Sequence, residues 1–229
     1  MRRAVVVGAS GGIGAALVEA LHRSGTEVEA LSRSAAGDAH IDIEDEATIA
    51  AAAQRIGAGG AVDLVIVASG ILQAPGITPE KSMRDLSAAT IARYFAVNAT
   101  GPALVAKHFL PLLTRHSPSL FAALSARVGS IGDNRLGGWY GYRASKAALN
   151  MLIRTLAIEL ARTRPQAICV GIHPGTVDTE LSQPFQRGVP ADKLFAPQHS
   201  ADAMLGVLAS LGPADSGGCF AWDGQRIAP

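Results

Sequence analysis

A doubly wound α/β fold, one parallel sheet with helices on both faces, is predicted from three observations. Short runs rich in Val, Ile and Leu alternate with helix-length segments along the whole 229-residue sequence, as in repeated strand–helix–strand units. The runs are almost continuously apolar, as parallel strands covered on both faces must be. Hydrophobic residues make up 48% and charged residues 17%, enough apolar surface for a two-sided core, so disorder is excluded.

Strands are expected at residues 4–7, 28–31, 64–68, 120–124, 168–172 and 219–222, with a shorter run at 40–43 as a further strand. Helical periodicity marks 13–23, 44–56, 90–115, 142–163 and 200–211 between them. Residues 73–82, 129–141 and 181–198 are the looser stretches. No repeat, low-complexity tract or linker divides the chain, so one domain over 1–229 is expected. The segment 90–115 contains Gly101-Pro102 and Pro111. Pro102 lacks an amide hydrogen and its ring crowds the carbonyl four residues back, which predicts a kink there. Asn98 stands just before it, where a distorted helix frees carbonyls that can hold water.

Charge and cysteine usage exclude several classes. The net charge is +1, with 20 basic and 19 acidic residues and no like-charged block, so no nucleic-acid or acidic-membrane partner is expected. Cys169 and Cys219 lie far apart in apolar runs, which predicts free thiols in a reducing compartment and no metal site. The start, Met1-Arg2-Arg3 followed by Ala4-Val5-Val6-Val7, faintly mimics a signal peptide, but it breaks into glycines and meets Glu19. No apolar run approaches the ~20 residues of a membrane span. A cytoplasmic protein is expected.

Val7-Gly8-Ala9-Ser10-Gly11-Gly12-Ile13-Gly14 follows the first strand and opens the first helix. Such a turn lets backbone amides and a helix N-terminus approach a pyrophosphate. Its spacing is G-x-x-x-G-x-G, and no Gly-Lys-Ser/Thr follows to make a P-loop. Gly8, Ser10, Gly12, Ile13 and Gly14 are the expected nucleotide contacts. At the end of the second strand, about 20 residues further on, an acid normally holds the ribose 2′-hydroxyl. Here Ser32 fills that slot and Arg33 follows. A guanidinium suits a 2′-phosphate, so NADP(H) is favoured over NAD(H).

Gly141-Tyr142-Arg143-Ala144-Ser145-Lys146 opens the helix expected over 142–163. Tyr142 and Lys146 are four apart and therefore share one helix face. A free phenol has a pKa of about 10 and is a poor proton donor or acceptor at neutral pH. A neighbouring ammonium favours the phenolate, lowers that pKa and makes the group usable. The pair gains its weight from the glycine turn and Asn98 upstream.

With Gly8, Gly12, Gly14, Asn98, Tyr142 and Lys146 in this order, the chain resembles the short-chain dehydrogenase/reductase family over essentially its whole length, with a Rossmann-type fold. Residues 125–150 and the ending Ala221-Trp222-Asp223-Gly224 are most similar to its small C-factor and carbonyl-reductase-like members. The resemblance implies that Tyr142 passes a proton to a carbonyl oxygen, or takes one from an alcohol. It implies that Lys146 bonds the nicotinamide ribose and that Asn98 holds a relay water. Asp42 and Ile43 would lie beside the adenine. Pro174, Gly175, Val177 and Thr179, in the segment after residues 168–172, would contact the nicotinamide end. Ala68-Ser69-Gly70 stands where the family shows Asn-Ala-Gly; Gly70 still permits close backbone approach.

One departure concerns the family's serine for the substrate oxygen, three residues before a glycine. Counted back from Gly129 that slot holds Ala126, with Ser125 one place earlier and Ser130 one place beyond the glycine. Ser125 on a bulged strand end is taken for the role, with Ser130, or no serine at all, as the alternatives. His173 is expected to be a strand-end imidazole bonded to backbone. Trp139 and Tyr140 either line the substrate pocket or pack their loop, and Phe185 and Phe195 fall where a substrate lid would sit. The expected partner is a small carbonyl or alcohol. The apolar faces of 90–115 and 142–163 offer a homodimer interface, although small reductases of the family include monomers. Two functions compete: an NADP(H)-dependent oxidoreductase, and a nucleotide-binding regulatory protein with little turnover. A methyltransferase shares the sheet and glycine turn but has no use for the Tyr–Lys pair.

Overall fold

The computed structural model describes residues 1–115 and 117–229. Among these, six parallel strands form one sheet: β1 (Arg3–Val7), β2 (Glu27–Leu31), β3 (Leu64–Val67), β4 (Ser119–Leu124), β5 (Ala167–His173) and β8 (Cys219–Ala221). Their spatial order is β2-β1-β3-β4-β5-β8. β6 (Thr176–Val177) and β7 (Leu194–Phe195) pair separately beyond the carboxyl end of β5. The chain leaves β1 toward β2 and later returns to β3 on the other side of β1. That reversal opens a crevice at the carboxyl ends of the strands, where open α/β sheets bind their ligands.

The apolar runs are continuous because each strand feeds two cores. Val5, Val7, Val65, Val67 and Phe121 face one side and pack against α2 (Glu46–Ala58), α4 (Gly101–Phe109) and α5 (Tyr140–Thr163) through Ile49, Ile56, Phe109, Leu149 and Ile153. Ala4, Val6, Leu64, Ile66, Ile168 and Val170 face the other side, against Leu17 and Leu21 of α1 (Gly12–Arg23) and Met204 and Leu208 of α6 (Pro197–Ser210). Alternate residues therefore serve opposite layers, as strand geometry dictates. Each buried Val, Leu, Ile, Phe or Met side chain among them contributes on the order of 1.5–3 kcal/mol. This is the doubly wound arrangement the sequence predicts. No helix among the described residues is long and apolar enough to cross a membrane.

Three local expectations change. Residues 40–43 form no strand; His40 makes one bridge to Ser32 and the chain then turns. Polar side chains divert the backbone there: the Asp42 carboxylate accepts the Glu44 amide at 3.0 Å, and the Thr48 hydroxyl donates to the Asp42 carbonyl at 3.0 Å. The long segment from residue 90 carries a π-turn, Ala96–Thr100, between α3 (Ala88–Phe95) and α4, in place of a kink at Pro102. Pro102 falls in the first turn of α4, where its missing amide hydrogen is tolerated. α5 begins at Tyr140, two residues before the expected start, and α6 begins at Pro197.

Asn98 holds the π-turn to the end of β3. Its Oδ1 accepts the Ile71 amide at 2.8 Å and its Nδ2 donates to the Ile71 carbonyl at 2.9 Å, imitating a strand partner. The side chain is fully buried. Asn98→Ala leaves both Ile71 groups unpaired in the interior and should lower the unfolding free energy by about 2–4 kcal/mol, measured by urea denaturation. A loss below about 1 kcal/mol would show that water replaces the amide.

Candidate functional site

A cleft of about 780 Å³ runs along the carboxyl ends of β1, β3 and β4, within the usual range for ligand pockets. At one end stands the glycine turn. Gly8 has φ +90°, and a Cβ there would sit 2.7 Å from Ser69 Oγ and 2.8 Å from Ser69 N. A Cβ on Gly14 would lie 2.1 Å from the Gly8 carbonyl oxygen. Both positions must be glycine for the turn to close against β3. The first helical bond of α1 runs from the Ala15 amide to the Gly11 carbonyl, so the Gly12, Ile13 and Gly14 amides have no partner within their helix. Those amides, the adjacent Ser10 and the helix dipole form a cradle for an anionic group, and the residues present fit a pyrophosphate.

Toward the β2 side the cleft is lined by Arg33, Ser34, Asp42 and Ile43. Arg33 is exposed and pairs with no carboxylate among the described residues. Ser32 does not face the cleft, contrary to expectation. It is 7% exposed, its amide bonds the Ala39 carbonyl, and its hydroxyl turns toward Ser34, the residue that does line the cleft. β2 ends at Leu31 and the chain turns just beyond it, which brings Arg33 and Ser34 together into the cleft and leaves Ser32 outside it.

At the other end Ala68, Ser69, Gly70, Ser125, Tyr142, Lys146, Pro174 and Thr179 line the cleft. Tyr142 and Lys146 share the face of α5 that their spacing predicts, with Nζ 5.9 Å from the ring centroid. Lys146 is 4% exposed and its ammonium donates to the Leu124 carbonyl at 2.8 Å. Burial lowers its pKa to about 8. The expectation that the ammonium depresses the phenol is reversed here. Burial, and then the Tyr94 phenol, push the Tyr142 pKa upward, while Lys146 spends its bond on Leu124. Tyr94 meets the Tyr142 ring edge-on at 6.1 Å, and its own hydroxyl donates to the Leu72 carbonyl at 2.6 Å.

Ser125 reaches the cleft, with its hydroxyl donated to Asn150 Oδ1 at 2.6 Å. Ser130 does not; its hydroxyl donates to the Pro229 carbonyl at 3.2 Å, and it lines a separate recess of about 270 Å³. Asn98, Gly175 and Val177 do not line the cleft either. The Asn98 amide is occupied by Ile71 and Ser145. A Cβ on Gly175 would strike the Phe195 ring at 2.7 Å, so this glycine serves aromatic packing with Trp222. Val177 is buried in β6. The His173 Nδ1 has no partner among the described residues, contrary to the backbone bond expected, and burial pushes its pKa down to about 4. Leu124, Glu180 and Leu181 line the cleft without having been singled out in the sequence. Their place beside Ser125 and Thr179 was the available signal.

A profile described as short chain dehydrogenase matches residues 2–189. The C-signal protein of Myxococcus xanthus is 37% identical over 147 residues, 64% of this chain and 82% of its own length. The 1-hydroxy-2-glutathionyl-2-methyl-3-butene dehydrogenase of Rhodococcus sp. (strain AD45) is 28% identical over 227 residues, 95% of each chain. An NADPH-bound carbonyl reductase from chicken fatty liver superposes with a TM-score of 0.83 at 25% identity, covering 100% of this chain and 94% of that one.

Lys146 generates a pH dependence of stability. Unfolded, it keeps its proton to about pH 10.5; folded, it releases it near pH 8. Between these values the unfolded state binds more protons, so stability rises with pH. Urea unfolding at pH 8 and pH 9.5, without added dinucleotide, should show wild type gaining about 1–2 kcal/mol relative to Lys146→Met. Parallel behaviour of the two proteins would contradict the burial of the ammonium.

Proposed function

The chain belongs to the short-chain dehydrogenase/reductase family, and on that premise we propose that it is an NADP(H)-dependent oxidoreductase that reduces a small carbonyl or oxidises the corresponding secondary alcohol. The observation that carries the reading is one cleft with an anion cradle at Gly12–Gly14 and the Tyr142–Lys146 pair at its far end. Nothing in an anion cradle alone requires a half-buried phenol and a buried ammonium on one helix face.

When bound, a reduced nicotinamide dinucleotide supplies the hydride. The chain supplies placement and protons. Gly8, Gly12, Gly14 and Ser10 would hold the pyrophosphate, Arg33 a 2′-phosphate, and Asp42 and Ile43 the adenine side. Tyr142 would give its proton to the carbonyl oxygen in reduction and accept one in oxidation. Lys146 would stabilise the phenolate once its ammonium turns from the Leu124 carbonyl to the cleft. Ser125 would orient the substrate oxygen, which requires its hydroxyl to rotate away from Asn150. Asn98 holds the turn beside these groups, and its place in a proton relay would rest on its backbone, since both amide hydrogens are already donated.

The free thiols of Cys169 and Cys219 support a reducing, cytoplasmic location. Met151 and Ile158 on the outer face of α5 remain exposed, which supports the homodimer reading. A second reading, a nucleotide-dependent regulatory protein with little turnover, is favoured by one observation: the serine hydroxyl that should meet the substrate is already donated to Asn150.

With a panel of small aldehydes, ketones and quinones, Tyr142→Phe should lower NADPH-dependent kcat at least about a hundredfold and leave the NADPH Kd within about twofold. Equal turnover by variant and wild type would refute Tyr142 as the proton-transfer group, and none by either while NADPH still binds would favour the regulatory reading. Arg33→Ala should weaken NADPH about tenfold or more while changing NADH less than about twofold, measured by fluorescence titration. Equal losses would refute the 2′-phosphate assignment.

A further inference from the structure

Tyr142 is the third residue of α5 and lies in its first turn. First-turn amides have no acceptor within their own helix and depend on a cap. α5 carries none of its own: Trp139 makes no side-chain cap bond, and no acidic residue stands in the first turn. α2 and α3, in contrast, are capped locally by Asp45 and Ser87.

The missing acceptor arrives from 61 residues upstream. Glu80 Oε2 accepts the Gly141 amide at 3.1 Å. The Glu80 backbone carbonyl accepts the Trp139 amide at 2.5 Å, so one residue holds both sides of Tyr140. Glu80 is 2% exposed, and its Oε1 has no partner among the described residues. A buried carboxyl with an unsatisfied oxygen is a poor device for stability alone.

The surroundings are shaped to admit it. A Cβ on Gly141 would lie 2.9 Å from Glu80 Oε1 and 2.6 Å from the Tyr94 ring, so only glycine lets both approach. Trp139 is held at φ 52°, the only non-glycine residue with positive φ among those described. Such strain persists where neighbours over-determine the backbone. In that conformation the indole meets the Tyr142 ring edge-on at 6.2 Å and Phe185 at 5.2 Å.

We propose that Glu80 is a positioning residue for proton transfer: it caps the turn that carries Tyr142 and pins Trp139 in its left-handed conformation, fixing the phenol against Tyr94. The consequence for turnover rests on the reading of Tyr142 as the acid–base group. Glu80 lies in the stretch 73–82, to which sequence reasoning gives no task.

The test compares Glu80→Ala, Glu80→Gln and a remote-cap control, Asp215→Ala, whose carboxylate accepts the Gly212 amide at 3.0 Å. Hydrogen–deuterium exchange over residues 137–150, without dinucleotide, reads the clamp independently of turnover. Glu80→Ala should exchange about tenfold faster there, and Glu80→Gln, which keeps an acceptor oxygen, within about threefold of wild type. With NADPH and a carbonyl that wild type reduces, Glu80→Ala should lose about tenfold or more in kcat at an unchanged NADPH Kd. Glu80→Gln should keep about half of kcat or more. Unchanged exchange and kcat in Glu80→Ala overturn the proposal, as does a Gln variant damaged as badly as the Ala variant. An equal kcat loss in Asp215→Ala also overturns it. If Tyr142→Phe turns over like wild type, the acid–base reading fails, while exchange still decides whether Glu80 holds the turn.

Discussion

A buried ammonium at the end of the sheet is the constraint on which this half of the cleft depends. Lys146 is 4% exposed and, among the described residues, its ammonium has one bond, to the Leu124 carbonyl where β4 ends. A charge out of water with a single acceptor is unfavourable, and its depressed pKa records that. The neighbourhood nevertheless makes room for it. A Cβ on Gly129 would lie 2.8 Å from Lys146 Cβ, and one on Gly70 would lie 3.5 Å from Nζ. Beside it runs a chain of polar contacts: Ile71 backbone to the Asn98 amide, Asn98 Nδ2 to Ser145 Oγ, and Ser145 Oγ to the Tyr142 carbonyl. These contacts lock the π-turn, the turn after β3 and the start of α5 into one unit. Lysine and phenol keep fixed places because the unit does.

Features whose cause is local were legible in the sequence. Strands covered on both faces must be apolar at every position, so β1, β3 and β4 could be located from composition alone. Gly8 and Gly14 could be read as a closing turn because no side chain fits at either place. Tyr142 and Lys146 could be put on one face from a spacing of four, since helix periodicity admits no other result. The likeness to solved folds and the family profile agree with that reading over most of the chain.

Features decided by contacts between distant segments were not legible. Residues 40–43 read as a strand by hydropathy, yet Asp42 and Thr48 bond their own backbone and end the extended run. Ser32 and Ser34 could not be ranked without knowing which way the strand end turns. The direction of the Tyr142 pKa depends on whether the ammonium faces the phenol or a carbonyl, and four-residue spacing permits both. The Ser125–Asn150 bond and the Glu80 clamp span 25 and 61 residues and leave no periodic trace. Each joins a strand end or loop to α5, which therefore gathers much of what the site requires.

The central claim is that the phenol, held high by burial in the free protein, becomes acidic when the cleft is filled and the ammonium is drawn toward it. The most direct measurement is a pH titration of the Tyr142 ring carbon bearing the hydroxyl, by carbon-13 NMR of site-labelled protein, with and without saturating NADP+. A midpoint above about 10 in the free protein and below about 9 in the loaded one is expected. A midpoint above about 10 in both states would contradict the assignment of Tyr142 as the proton-transfer group.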